Sequence, residues 1–349
     1  MKLNTERIHT IWHLTWPQCI MLLCQFVIGI TDVWAGGRIG SEVQASIGLI
    51  TQCHMMFMAL AMAAVSGAVA SISQSLGACK FVRARRYVGL VTIGCIAIGS
   101  AIAVAASVWR EPLLRLIQTP ESIMPVAIMF LTATIWGIPG QYTLTIGAAV
   151  FRSAKMVLIP LYVTGTACLL NVFGDLAFGL GWWGFPAYGA TGIAYSTLVS
   201  VTVGAALMLF LLMRHELFTR DSFPGWRWIK AGAPYLLKVA GPAFGTSFLW
   251  QTGYMVLYVI TASLPFGRVN ALAGLTTGLR VESILFLPAV AFSMTASVLV
   301  GHALGEGNHR EAKRTLLATL GIACAGMCCV GAAIWPWRME LAGLIAPDP

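Results

Sequence analysis

The chain has 349 residues, 58% of them hydrophobic and only 10% charged, with a formal net charge of +9 and a mean hydropathy of +0.80. Soluble domains carry about 25% charged residues, so this composition excludes a water-soluble globular enzyme and points to a polytopic, all-α integral membrane protein. The basic residues fall in short clusters between apolar runs, which argues against a nucleic-acid partner and makes them topology signals.

Apolar runs of about 20 residues bounded by charge or Gly/Pro predict nine spans: Ile11 to Ala35, Ala45 to Leu76, Val88 to Val108, Ile123 to Val150, Met156 to Leu180, Tyr188 to Met213, Pro234 to Leu264, Ala271 to Leu304 and Thr315 to Trp335. With the N-terminus cytoplasmic, 16 of the 22 basic residues, Arg152 among them, lie in inside segments. Five lie outside and one, Arg280, falls within a span, a bias that fixes the orientation. The 36 glycines and 15 prolines sit largely inside the apolar runs, as in the kinked helices of transporters.

An internal repeat is visible. SGAVASISQSLGACKFVRARR, at the end of the second span, aligns without gaps with MTASVLVGHALGEGNHREAKR, at the end of the eighth, so that Leu76-Gly77 matches Leu304-Gly305. Pro17 answers Pro242 in the same way. The unit is six spans repeated in one orientation. The expected organisation is an N-terminal lobe over residues 1–213, a polar linker over 214–233 and a partial C-terminal lobe over 234–349. Three further helices would complete a second lobe. The chain therefore reads either as a piece of a longer protein or as one with a shortened second lobe.

Nine cysteines, an odd number mostly inside apolar runs, are not a disulfide framework. Cys324, Cys328 and Cys329 have helical spacing without His or acidic company, so no metal site is expected there. No Walker A pattern, GxSxG or zinc-ligand spacing occurs, which leaves ATP hydrolysis and hydrolase chemistry without support and predicts no cofactor. The chain is not expected to be an enzyme.

Three of the 13 acids fall within spans: Asp32, Asp175 and Glu282. A charge at bilayer depth costs about 2.5 to 3.5 kcal/mol on insertion scales, so an intramembrane acid marks an ion or substrate path unless it reaches interfacial water from a helix end. Asn171 stands one helical turn before Asp175 on the same face. The first and fifth spans run outward, which places Asp32 and Asp175 at similar depth, where they can meet. Two carboxylates sharing a poorly solvated site repel, and such a pair can bind and release a proton near physiological pH. With the oxygen of Asn171 it can instead coordinate Na⁺, a hard cation. Glu282 and Arg280 are two residues apart and do not share a helix face, so each pairs with another helix in a structural or a functional role. Trp250 and Gln251, with other aromatic and Met residues such as Tyr254, suit a bulky cationic ligand or simple packing. His54 is the one histidine well inside a span.

These pieces resemble the multidrug and toxic compound extrusion (MATE) family. The resemblance rests on ITDVWAGGRIG, on GAVASISQSLGACKFVRARR, on FRSAKMVLIPLYVTGTACLLNVFGDLAFG with the downstream GATGIAYS, and on ESILFLPAVAFSMTASVLVGHALGEGNHREAKR. It implies a two-lobe bundle of twelve helices, of which nine are present. It also implies alternating-access export of organic cations and other xenobiotics in exchange for H⁺ or Na⁺, by a monomer in the bacterial inner membrane. By the same resemblance Asp32, Asn171 and Asp175 fall on the cation or proton site. Where many Na⁺-coupled members carry a Glu in the seventh helix, this chain has LWQTGY, with uncharged Trp250 or Gln251 there. The resemblance thus places coupling in the N-terminal lobe, while the residues themselves make Glu282, Arg280, Gln251 and Trp250 either a substrate site or a structural polar site. The other readings are a flippase for lipids or lipid-linked oligosaccharides, and a membrane fragment that transports nothing.

Overall fold

The computed structural model describes residues 5–117, 119–263, 268–337 and 340, with only some of the side chains between 251 and 285. Nine long helices follow one another among the described residues: α1 (Thr5–Ile39), α2 (Ser41–Gly77), α3 (Phe81–Leu116), α4 (Met124–Ser153), α5 (Leu158–Gly174), α6 (Ala190–Arg214), α7 (Trp226–Ala262), α8 (Arg268–Gly305) and α9 (His309–Ile334). Eight of them include a segment long and apolar enough to cross a bilayer. Helix α7 is the exception among the described residues, because Thr246, Ser247, Gln251, Thr252 and Tyr254 dilute its apolar stretch.

Six of the nine helices begin three to eight residues before the predicted spans, and the helix ends are satisfied in specific ways. Glu6 in the first turn of α1 and Arg38 in its last turn complement the helix dipole. Helices α2, α4, α6 and α8 all end on a residue with left-handed backbone: Cys79, Lys155, Glu216 and Gly307. After each, the next amide reaches back five residues: Lys80 to Ser75, Met156 to Phe151, Leu217 to Leu212 and Asn308 to Ala303, at 2.9–3.1 Å. These are Schellman-type stops, which engage helix-end carbonyls that would otherwise lack donors. Three of the four accept the cost of a side chain at positive φ. Asn308 then caps α9, its side chain accepting from the Glu311 amide at 3.0 Å.

Helix α4 is the centre of the N-terminal half, packed against α2, α3 and α6. Two apolar clusters sit at its two ends. One gathers Ile72, Tyr87, Val88, Tyr142, Ile146, Phe151, Met208 and Leu212. The other gathers Ala35, Ile47, Leu114, Phe130, Leu131, Ile135 and Ile193. Large apolar side chains such as Val108, Trp109, Leu116 and Leu169 are exposed on the outside, as a protein solvated by hydrocarbon requires.

The repeat predicted from sequence has a physical counterpart where α2 meets α8. A Cβ on Gly77 would lie 2.2 Å from the carbonyl oxygen of His302, and one on Gly305 would lie 2.3 Å from that of Gln74. The repeat alignment pairs Gly77 with Gly305 and Gln74 with His302, so the two contacts are one contact made twice. The ends of α2 and α8 therefore touch backbone to backbone across a local pseudo-twofold axis. Around it, Thr15 and Gln18 of α1 donate to the Thr295 hydroxyl of α8, both at 2.9 Å. Tyr235 of α7 donates to Gln74 at 2.6 Å, and the His302 ring meets the Ser153 carbonyl at 2.8 Å. Arg7 forms a forked pair with Glu311, at 2.9 and 3.0 Å from Nη2, and ties the start of α1 to that of α9.

Candidate functional site: a buried acid pair opening onto a cavity

The fifth span does not finish as an α-helix. After Gly174 the chain widens into a π-helical turn, Asp175–Gly179, closed by the Leu180 amide on the Asp175 carbonyl at 3.0 Å. Such turns recur at functional sites because they re-aim a side chain without ending the helix. This one leans on α6 with almost no space between. A Cβ on Gly174 would lie 2.4 Å from the Cβ of Ser196, and one on Gly192 would lie 2.2 Å from the Phe178 carbonyl oxygen.

That contact puts Asp175 and Asn171 in the interior, both with no exposed surface. The Ser196 hydroxyl donates to Asp175 Oδ1. The Asn171 amide donates to Thr197 Oγ1 at 3.0 Å, and the Thr197 hydroxyl donates on to the Ile193 carbonyl at 3.2 Å. From α1, the Asp32 carboxyl is a close neighbour of Asp175, Asn171 and Thr197. Helix α1 continues seven residues past Asp32 to Ile39, so Asp32 does not end the helix. The three residues predicted for a cation or proton site are thus side by side.

Three buried acceptor atoms there lack a donor among the described residues: Asp32 Oδ1, Asp175 Oδ2 and Asn171 Oδ1. Buried acceptors are normally paired, and a bare pair of carboxylates about 4 Å apart repels by roughly 4 kcal/mol at an effective dielectric of 20. One proton between the carboxyls, or one hard cation among the oxygens, would remove both costs. The donor set is all oxygen, which fits H⁺ or Na⁺ and not a thiophilic metal.

Asp32 also faces a cavity of about 360 Å³ lined by α1, α2, α4, α5, α6 and Met294 of α8. Its walls are helix stripes: Gln18, Gln25 and Asp32 on α1, and Gln141, Thr145 and Arg152 on α4. His54 and Thr197 line it as well, whereas Asn171 and Asp175 do not. Asp32 is therefore the carboxyl that belongs both to the acid pair and to the cavity wall.

The second predicted group lies elsewhere. Tyr254 of α7 donates to Glu282 of α8 at 3.0 Å, and Trp250 stacks on Phe286 with ring centroids 6.1 Å apart. Glu282 and Trp250 are exposed and line no part of this cavity. The side chains of Arg280 and Gln251 lie outside the described residues. Two roles were missed from sequence. Ser196 donates to Asp175 and Thr197 accepts from Asn171, and their signal was the hydroxyl run that follows GATGIA, opposite Asn171 and Asp175. Arg152 reads in sequence as a cytoplasmic topology charge, yet it is 6% exposed and faces the cavity.

A family model described as MatE matches residues 17–176 and 242–349. A probable multidrug resistance protein NorM of Thermotoga maritima is 26% identical over 327 residues, covering 93% of this chain and 69% of that protein. An FAD transporter of Shewanella oneidensis is 23% identical, covering 95% and 73%. Among solved structures, a MOP superfamily transporter from Pyrococcus furiosus superposes with a TM-score of 0.87 at 20% identity, covering 97% of this chain and 74% of that one. A mutant of the Vibrio cholerae MATE transporter VcmN gives a TM-score of 0.88 at 20% identity, covering 99% and 76%. The match over both halves, on a chain of apolar helices with this packing, establishes that the protein is an integral membrane protein of the MatE family of multidrug efflux transporters.

Proposed function

We propose that the protein is a secondary active antiporter that exports organic cations and other xenobiotics in exchange for H⁺ or Na⁺. The observation that carries this reading is the double membership of Asp32. It lines the cavity and is also a close neighbour of buried Asp175. An ion that loads the acid pair neutralises the carboxyl a cationic substrate would use, so ion and substrate compete for one group. Binding of either then shifts the balance between states that open to opposite sides, which is the requirement for exchange. The close contact of α2 with α8 supports closure at the end of the molecule that carries the basic loops.

The same reading assigns residues 1–213 to one lobe, 214–233 to a cytoplasmic linker and 234–349 to the second lobe. It also assigns a monomer in the bacterial inner membrane with its N-terminus inside. The test is efflux of a fluorescent organic cation from proteoliposomes under an imposed proton or sodium gradient, comparing wild type with Asp175→Asn. Gradient-driven efflux that the variant loses while still inserting is the expected result, and the gradient that works identifies the ion. Wild-type protein that moves nothing under either gradient, or a variant that exports as well as wild type, sinks the proposal.

A further inference from the structure

At the opposite end of the cavity from the acid pair stands a charge with no ion-pair partner among the described residues. Arg152 occupies the last turn of α4, 6% exposed. On α4 the cavity-facing stripe runs from Phe130 through Gln141, Thr145 and Ala148 to Arg152, about 33 Å of helix at 1.5 Å per residue. Phe130 and Ile193 cluster with Ala35, one turn beyond Asp32, so Asp32 marks the other end of that stripe. The ion pairs among the described residues engage Arg7, Arg85 and Arg115 and leave Arg152 out. Its Nε is buried without a partner.

An arginine at a helix end is often explained by capping, but here the acceptors are taken. The Val150, Phe151 and Arg152 carbonyls accept from the Ala154, Met156 and Lys155 amides. The Ala149 carbonyl accepts from the Ser153 hydroxyl, and the Ser153 carbonyl meets the His302 ring. A buried cation left unpaired is costly, and a guanidinium recovers that cost best from a planar or tetrahedral oxyanion that its fork of donors can grip.

We propose that Arg152 anchors an oxyanion, a carboxylate or a phosphate, of a molecule held in the cavity. This rests on the reading of the cavity as the substrate path. Asp32 and Arg152 then give the cavity a negative end and a positive end, and a cargo with both charges lies along it in one orientation.

The experiment uses a matched dye pair, rhodamine B with its free carboxylate and the ethyl ester of the same dye, with binding read by fluorescence polarisation on the full chain in neutral detergent. The expected result is that Arg152→Gln weakens rhodamine B by about ten-fold or more and leaves the ester within about two-fold. Arg152→Lys, which keeps the charge and guards against a fold defect, should retain much of the rhodamine B affinity. Adding dioleoyl phosphatidic acid separates the sources. Competition that needs Arg152 makes a lipid phosphate one occupant, and no competition leaves a soluble carboxylate or phosphate. The proposal is overturned if Arg152→Gln weakens both dyes alike, if it weakens neither while staying monodisperse, or if wild type fails to bind rhodamine B. Should the dyes bind as expected yet cross no membrane under any gradient, antiport fails and the Arg152 subsite stands.

Discussion

Replacing Gly77 with Ala tests whether the contact of α2 with α8 holds this conformation. The added methyl would sit 2.2 Å from the His302 carbonyl oxygen and 2.8 Å from its carbonyl carbon and Cα. Ordinary contact begins near 3.4 Å, so the two helix ends must part by about 1.2 Å. The intruding neighbour is backbone within a helix and cannot turn away as a side chain would. Overpacking of this kind costs about 1–3 kcal/mol, which loosens the closed contact by roughly five- to 150-fold in equilibrium constant. Hydrogen exchange measured by mass spectrometry on the peptides covering residues 70–80 and 300–308 reads that loosening directly, since amide protection there follows the opening equilibrium. Gly305→Ala, which meets the Gln74 carbonyl at 2.3 Å, should match Gly77→Ala in size. The double variant should cost little more than either alone, because helices already parted have room for the second methyl. Unchanged exchange in both single variants, or two unequal effects that simply add, would refute the paired-contact argument.

Two other outcomes follow from contacts described above. Gly192→Ala places a methyl 2.2 Å from the Phe178 carbonyl oxygen, so it should push α6 off the π-helical turn and lower the thermal midpoint in detergent. Its transport should fall with Asp175 intact, and an active variant of wild-type stability would show that the turn is not held by this contact. Arg7→Ala removes the forked pair with Glu311, whose side chains are 20% and 34% exposed. Solvent screens such a pair, so the loss should stay near 0.5–1 kcal/mol and shrink in high salt; thermal unfolding at low and high ionic strength checks it, and a salt-independent loss would contradict the electrostatic account.

The helix count and the repeat were legible because each rests on a simple pattern. A hydrocarbon layer about 30 Å thick demands runs of about 20 apolar residues bounded by charge, and an ungapped match of 21 residues with Leu-Gly in the same register marks a duplicated unit. The meeting of Asp32 with Asp175 was legible because polar groups in hydrocarbon seek each other. The π-helical turn was not. DLAFG carries no Pro, and Asp175 marks a site without signalling a wider turn; the turn goes with the close fit of Gly174 and Phe178 against Ser196 and Gly192 of α6, which is a tertiary property. Six of the nine helix starts were placed three to eight residues too late because polar and basic first turns, such as those holding Arg83, Arg85 and Arg86 of α3 and Arg310, Lys313 and Arg314 of α9, read as loop. The burial of Arg152 was not foreseen because positive-inside counting treats a charge one turn from a loop as belonging to the loop. Only the stripe of α4 that faces the cavity shows otherwise.

The meeting of α2 with α8 also bears on how the two repeats came to fit. A contact in which residue i meets j while the partner's i meets j is the geometry of an isologous dimer. At the position nearest the axis the alignment pairs Ser73 with Gly301, and a Cβ on Gly301 would lie 1.9 Å from the Ser73 hydroxyl oxygen. Two copies of the first repeat would bring serine against serine there and be held apart. One chain carrying two unequal halves escapes this, because the glycine yields the space its counterpart fills. Covalent fusion here does more than keep the halves together. It lets the axis be asymmetric where a homodimer would be forced to collide with itself.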